Sequence, residues 1–215
     1  MLVGERMTQP VVHVSPDTPI QEVLQLMKAK GIRRAPVVKA GKLVGIVSEK
    51  DLLNATPSMA TSLSIWELNY LLSKITVAEL MTKDVITVTE ETPIEEAAKI
   101  MADRKVGGVP VMAGKELTGI ITETDLFRLL IELTGARESG VRATFLLEDQ
   151  PGELAKMAQA IAQQGGNVIA IGTYASEEPE TREVMLKVGD VKQTEVEKIM
   201  KTYAKEIKDI RTSGA

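Results

Sequence analysis

Two short phrases set a hydroxyl and a carboxylate at fixed spacing: Ser48-x-x-Asp51 in "GIVSEKDL" and Thr122-x-x-Asp125 in "GIITETDL". Each stands where an apolar run that reads as a strand meets a polar stretch that reads as a helix start. Two chemistries use these atoms. In a capping box the hydroxyl accepts from a backbone N–H, and the acid three residues on reaches back to the first N–H. In a ligand site the same helix start offers amide donors and the positive end of a dipole, which suits phosphate. The hydroxyl then donates to a phosphate oxygen, and an ionised aspartate, which only accepts, takes two vicinal ribose hydroxyls. Gly45 and Gly119 open the phrases, and a glycine inside a strand marks a close backbone approach.

The elements that position the phrases are themselves repeated. Sliding the chain by 74 positions sets Met7–Leu53 over Met81–Phe127 without a gap, and 17 of the 47 pairs are identical. Each copy reads in the same order. A β-rich segment, "VVHV" or "VITV", is followed by a turn, with Thr18 and Thr92 suited to cap a helix and Pro19 and Pro93 suited to its first position. An amphipathic helix over "IQEVLQLMKAKG" comes next, then strands "APVV" and "LVGIVS" around a "KAGK" turn, then a helix from near Asp51. Such a βαββα unit is too small to bury both faces alone, so two copies are expected to complete each other.

Composition limits the chemistry. The chain has 215 residues, 44% of them hydrophobic but only 3% aromatic, so its core must be aliphatic. Net charge is −4 and pI about 5.3, which argues against a broad nucleic-acid face. With no cysteine there is no disulfide, thiolate metal site or cysteine nucleophile. The start "MLVGERMTQP" lacks the apolar run of a signal peptide, and no stretch of 18 apolar residues reads as a membrane span. A cytoplasmic protein is expected. No dinucleotide or P-loop glycine motif and no metal-ligand spacing is present, and Glu90, Glu91, Glu95 and Glu96 read as a solvated face. The single histidine, His13, stands where the other copy has Thr87 and has no partner at recognisable spacing. Catalysis is not expected, and neither is a catalytic cofactor or a metal.

The repeated "APV" and "VPV" and the two closing phrases resemble the CBS domain (cystathionine β-synthase domain), found in pairs called Bateman modules, over roughly Met1 to Leu133. The resemblance implies that each site is shared, the phrase of one repeat facing the first strand and x-P-V loop of the other. One site would then hold Val11, Val12, Ile32, Arg33 and Arg34 with Ile120, Thr122 and Asp125. The second would hold Ile46, Ser48 and Asp51 with Val85, Ile86, Val106, Gly107 and Gly108. The aliphatic residues would sandwich an adenine. Arg33 and Arg34 carry planar forks suited to phosphate, or form a solvated loop pair, while Gly107 and Gly108 offer room without charge. The first site is therefore expected to prefer the phosphorylated ligand.

Between the copies, "NATPSMA" reads as a loop and "SIWELNYLLSKI" as a helix, with Trp66 and Tyr70 suited to a dimer or intramolecular seam. Beyond a Gly/Ser/charged stretch at 135–140 the pattern changes. Strand, helix, two strands, helix and a short last strand give the order βαββαβ of a ferredoxin-like plait. "EDQPGELAKMAQAIAQQGGNV" resembles an ACT domain, a regulatory module that often binds amino acids, which would place a ligand at Asp149, Gly152, Glu153, Leu154 and Asn167. A fold-forming turn explains the same glycine.

The expected class is therefore α+β: two βαββα repeats packed as a pair, followed by a βαββαβ domain. The divisions are 1–56 for the first repeat, 57–77 for a helical insertion, 78–134 for the second repeat, 135–140 for a linker and 141–215 for the last domain. The order resembles the acetoin-utilisation proteins of the AcuB type. Three functions fit. The first is a sensor that binds AMP, ADP, ATP, S-adenosylmethionine or a dinucleotide in the CBS cleft and passes the signal to the ACT domain or a partner. The others are a dimerising adaptor with empty sites and an amino-acid sensor working through the ACT domain. All three fit a homodimer formed through the CBS pairs, the ACT domain or both, with no nucleic acid and no membrane as partner.

Overall fold

The computed structural model describes residues 1–55, 70 and 74–214 and divides into two compact units, Met1–Leu126 and Phe127–Ala215. Trp66 and most of the expected inserted helix lie outside the described residues. Tyr70 is helical and exposed, with the Lys74 ammonium 5.2 Å from its ring centroid.

Among the described residues each repeat builds one helix, one hairpin and one further helix, the closing helix of the second repeat running from the first unit into the second. The first has α1 (Ile20–Lys30), β1 (Arg34–Lys39), β2 (Lys42–Ser48) and α2 (Glu49–Asn54). A four-residue helix, α3 (Val77–Leu80), leads into the second, which has α4 (Ile94–Arg104), β3 (Gly108–Ala113), β4 (Glu116–Thr122) and α5 (Glu123–Leu133). Ile20, Val23 and Met27 bury one face of α1, and Ile94, Ala97 and Met101 the same face of α4. They pack on alternate residues of the hairpins, Ala35, Val37 and Val47 in the first copy and Val109, Val111 and Ile121 in the second. Both hairpins carry a bulge at the same place, after Val37 and after Val111.

Two expectations are corrected. "VVHV" and "VITV" are not strands: each makes one parallel bridge, Val14 to Val37 and Val88 to Val111. Each bridge has two backbone bonds, of which Val14 N–H to the Pro36 carbonyl is 3.0 Å. Nor do Thr18 and Thr92 cap helices. Pro19 and Pro93 are the N-caps, with ψ near 140°, so neither proline has entered the helix. The threonines serve elsewhere. The Thr92 hydroxyl accepts from the Thr89 N–H at 3.0 Å, while the Thr18 and Thr92 carbonyls accept from Val77 and Val3.

Those last bonds show how the repeats complete each other. Residues ahead of the aligned Met7, including a 3-10 turn at Val3–Glu5, lie on the second repeat. Val3 and Gly4 donate to Thr92 and Glu90, and Thr8 pairs with Ile120 by bonds of 2.8 and 3.2 Å. The segment before the second repeat lies on the first in the same way, with Val77 and Ala78 donating to Thr18 and Pro16 and Thr82 pairing with Ile46. The repeat thus extends upstream of Met7. Leu2 N–H donates to Glu5 as Thr76 N–H donates to Glu79, and Val3 and Val77 are both fully buried.

The second unit adds β5 (Gly140–Glu148), α6 (Glu153–Gln163), β6 (Asn167–Ala175), β7 (Thr181–Gly189), α7 (Gln193–Tyr203) and β8 (Glu206–Ser213). Its antiparallel sheet has the order β6-β7-β5-β8, which is the ferredoxin-like plait. Phe145, Leu147, Met157, Ile161, Leu186 and Met200 form its core. Residues 135–140, expected as a linker, lie against this sheet. Gly135 is held at φ +57°, and a methyl there would stand 2.6 Å from the Ile169 side chain. Lys187, 2% exposed, donates from Nζ to the Gly135 carbonyl at 2.8 Å. The ammonium thus meets the carbonyl end of α5, where a cation complements the helix dipole.

Candidate functional site

The two phrases fold alike. At the start of α2 the Ser48 N–H and hydroxyl both donate to Asp51 Oδ2, at 2.9 and 2.6 Å, and the Asp51 N–H returns to Ser48 Oγ at 3.3 Å. At the start of α5 the Thr122 N–H and hydroxyl donate to Asp125 Oδ2 at the same two distances. The capping chemistry is therefore present. It also commits amides that the phosphate reading uses: Glu49 N–H goes to the Arg33 carbonyl and Glu123 N–H to that of Gly107. Asp125 is 7% exposed, while Asp51 is half-buried.

The phrase glycines have a clear purpose. A methyl on Gly45 would lie 2.5 Å from Met81 Sδ and 3.1 Å from the Thr82 carbonyl. One on Gly119 would lie 2.9 Å from Met7 Cγ, with Met7 Sδ closer still. Each glycine thus seats the methionine of the other repeat's entering segment. Met7 and Met81 do not stand out as site residues in the sequence, although both are identical across the repeat.

The same exchange brings the halves of each candidate site into one neighbourhood. The Thr8–Ile120 bridge lies three and four residues before Val11 and Val12 and two before Thr122. The Thr82–Ile46 bridge stands in the same relation to Val85, Ile86 and Ser48. Val11, Val12, Ile32, Ile46, Val85, Ile86 and Val106 are each partly exposed, as a cleft lining requires. Ile120 is buried.

The arginines occupy unexpected places. Arg33 Nη2 lies 3.5 Å from the Thr124 hydroxyl, one residue before Asp125. Arg34, opposite Ser48 in its hairpin, crosses to the other repeat. The room expected over Gly107 and Gly108 is filled by it: a methyl on Gly107 would stand 2.5 Å from Arg34 Cζ and 2.7 Å from Glu123 Oε2, and one on Gly108 3.4 Å from Arg34 Cδ. Glu123 is absent from the sequence-derived site, since nothing in its spacing marks it.

In the second unit the turn before α6 places Asp149, Gly152, Glu153 and Leu154 together. Asp149 Oδ1 accepts from Arg182 Nε at 3.1 Å, and Gly152 caps the helix at φ +93°. Glu153 accepts from Lys156 at 2.6 Å, and this bond holds the ammonium above the usual lysine range. Asn167 pairs with Gly189 beyond the other end of α6, an 11-residue helix about 16 Å long, so within one unit it stands apart from the turn.

Comparison with known proteins identifies the domains. The CBS domain model matches residues 3–58 and 77–132, and a TTHA0829-like ACT domain model matches 139–211. A CBS domain-containing protein of Dictyostelium discoideum is 33% identical over 135 residues, which are 62% of this chain and 93% of that protein. An inosine-5'-monophosphate dehydrogenase of Korarchaeum cryptofilum is 36% identical over 118 residues, 54% of this chain but only 22% of the dehydrogenase. The crystal structure of the CBS pair of protein MJ0100 with 5-methylthioadenosine and S-adenosyl-L-methionine is 29% identical, with a TM-score of 0.51 over 60% of this chain and 95% of that one. That of an acetoin utilization protein (AcuB) from Vibrio cholerae is 32% identical, with a TM-score of 0.52 over 64% of this chain and 98% of that one. The chain belongs to the CBS domain family, as a tandem pair followed by a TTHA0829-like ACT domain.

Proposed function

We propose that this chain is a non-catalytic cytoplasmic regulator that binds an adenosine-containing ligand in the cleft of its CBS pair. Binding is transmitted to the ACT domain or to a partner protein. One observation carries the reading: each hydroxyl–aspartate phrase is bridged to the entering segment of the opposite repeat, beside a pair of partly exposed aliphatic residues. An adenine lies between those aliphatic side chains. The ribose diol is received by the Asp51 and Asp125 carboxylates, and the Ser48 and Thr122 hydroxyls turn from their aspartates to meet phosphate. The MJ0100 pair, similar over 60% of this chain, was crystallised with two adenosyl ligands, which supports this ligand class.

The test is thermal stabilisation of nucleotide-free protein by adenosine, AMP, ADP, ATP and S-adenosylmethionine. A ligand at 100 times its Kd adds about 2.7 kcal/mol. Stabilisation lost in Asp51→Ala or Asp125→Ala supports the diol role, and a flat response to all five refutes it. The closed capping boxes favour a second reading, a dimerising adaptor with empty sites. For the dimer we propose pairing of copies through β6, an edge strand with no charged residue that exposes Val168, Ile171 and Tyr174. Sedimentation of Ile171→Lys as a monomer supports that pairing, and an unchanged dimer refutes it. Stabilisation by an amino acid but by no nucleotide would instead assign sensing to the turn at Asp149 and Gly152.

A further inference from the structure

We infer that Arg34 stands on the pseudo-two-fold axis between the two clefts and binds phosphate for both, so that phosphorylated ligands in the two clefts antagonise each other while adenosine does not. The inference rests on the adenosyl reading above and adds how its two clefts regulate one another. The 74-residue slide makes Gly107 and Gly108 the equivalents of Arg33 and Arg34. A methyl on Gly108 would lie 3.4 Å from Arg34 Cδ, so the arginine meets its own equivalent in the other repeat. Equivalent positions meet only where the axis that relates the two copies passes between them. The helix starts are disposed about it in matching fashion: Glu49 N–H donates to the Arg33 carbonyl at 2.9 Å, and Glu123 N–H to the Gly107 carbonyl at 3.2 Å. Arg34 pairs with Ser48 across its own hairpin and Gly108 with Thr122 across the other, so the strand ends that carry both phrases flank the arginine.

The guanidinium is half-buried over Gly107 and Gly108, which are both buried, and takes the place of the side chain that Gly107 lacks. Among the described residues it makes no hydrogen bond and no ion pair, and the Glu123 carboxylate that approaches the same glycine is not bonded to it. Its five donors form a fixed fork that matches one phosphate face, and none is spent on protein. Arg33 differs. Its Nη2 lies 3.5 Å from the Thr124 hydroxyl on α5, so it serves the Thr122 cleft alone. The Ser48 cleft has glycines in both arginine places and draws on Arg34 from across the axis. One fork faces one phosphate at a time. The first phosphorylated ligand takes Arg34, and the second binds without it. Adenosine carries no phosphate and fills either cleft regardless of the other.

The test uses the full chain, with adenosine and ATP as probes in isothermal titration. Asp51→Ala leaves only the Thr122 cleft, and Asp125→Ala only the Ser48 cleft. Arg34→Gln added to each should weaken ATP about tenfold in both, the effect of losing a hydrogen bond to a charged group, and leave adenosine unchanged. The adenosine Kd also reports that each variant is folded. Where a double variant binds no adenosine, Arg34→Lys takes its place, keeping the charge and losing the fork, and should weaken ATP in both clefts. With both clefts intact, adenosine should fill each at its single-cleft Kd, and the second ATP should bind about tenfold more weakly than in the corresponding single-cleft variant. Loss of ATP affinity in one cleft alone, or in neither, overturns the sharing of Arg34. A second ATP as tight as its single-cleft value overturns the antagonism, and binding of adenosine without ATP overturns the phosphate role. Failure of both probes to bind the unaltered protein overturns the adenosyl reading and this inference with it.

Discussion

Replacing Gly119 with alanine tests the mutual exchange of segments directly. The added methyl would stand 2.9 Å from Met7 Cγ and nearer still to its sulfur, inside van der Waals contact. Overpacking of this kind costs about 1–3 kcal/mol. Two effects reduce it: a thioether side chain yields more readily than a branched one, and alanine in a strand is better than glycine by about 0.5–1 kcal/mol. The net cost is about 1–2 kcal/mol, a five- to thirtyfold rise in opening of the entering segment. Gly45→Ala should cost more, because its methyl meets the Thr82 carbonyl at 3.1 Å as well as the Met81 thioether, and backbone cannot swing aside. The assay is amide hydrogen exchange at Thr8, whose N–H donates to Ile120 at 2.8 Å, and at Thr82, whose N–H donates to Ile46 at 2.9 Å. Gly31→Ala is the control. It strains a residue at φ +64° with nothing within 4 Å, so protection at Thr8 should not change. Equal exchange at Thr8 in Gly119→Ala and the unaltered protein would refute the seating of Met7.

Other outcomes follow from the same geometry. Ser48→Ala removes the hydroxyl of the first capping box and should destabilise the first unit by about 1 kcal/mol in the absence of any ligand, read as the urea midpoint. Lys187→Met leaves the buried Gly135 carbonyl with only the Glu138 N–H at 3.0 Å and should cost the second unit about 1–2 kcal/mol, the worth of the lost charged hydrogen bond; faster exchange along β7 is the signature, and unchanged exchange would rule out a structural role for the ammonium. Asp209 titrates below the usual carboxylate range, chiefly through hydrogen bonds from the Arg211 guanidinium, with the Arg211 and Arg142 charges adding to it. Its contribution is thus full above the unfolded carboxylate value near 4 and is lost as pH falls through the lower folded one. Arg211→Gln should move the Asp209 titration upward in an NMR pH series.

The sequence showed most of what is local and periodic. The 74-residue slide revealed the paired repeats, the hydroxyl–aspartate spacing revealed the caps, and the order of elements revealed the plait. It was misleading where pairing depends on what lies alongside. "VVHV" has the composition of a strand, yet a segment becomes one only along the length of a neighbour, and β1 meets it at Val14 alone. The proline after Thr18 suggested a helix already begun, but its ψ of 142° shows a chain still turning. Glu123 and Arg34 are brought together by a side chain that crosses from one repeat to the other, and no spacing along the chain encodes that crossing. The gapless slide begins at Met7, although Val3/Val77 and Glu5/Glu79 continue it upstream; a three-residue 3-10 turn is too short to show a period.

The exchange of entering segments has a topological consequence. Each repeat is finished by chain that belongs, in sequence, to the other, so the pair is a swapped dimer tied into a single strand. The tether supplies the effective concentration that two separate chains would need in free solution. Cutting it would not release two independent folds. It would leave two open halves, each with an empty methionine seat at Gly45 or Gly119, and each able to recruit the missing segment from another molecule. Duplication followed by fusion is thus difficult to reverse in this architecture: once each copy relies on the other for its first bridge, neither can be lost alone.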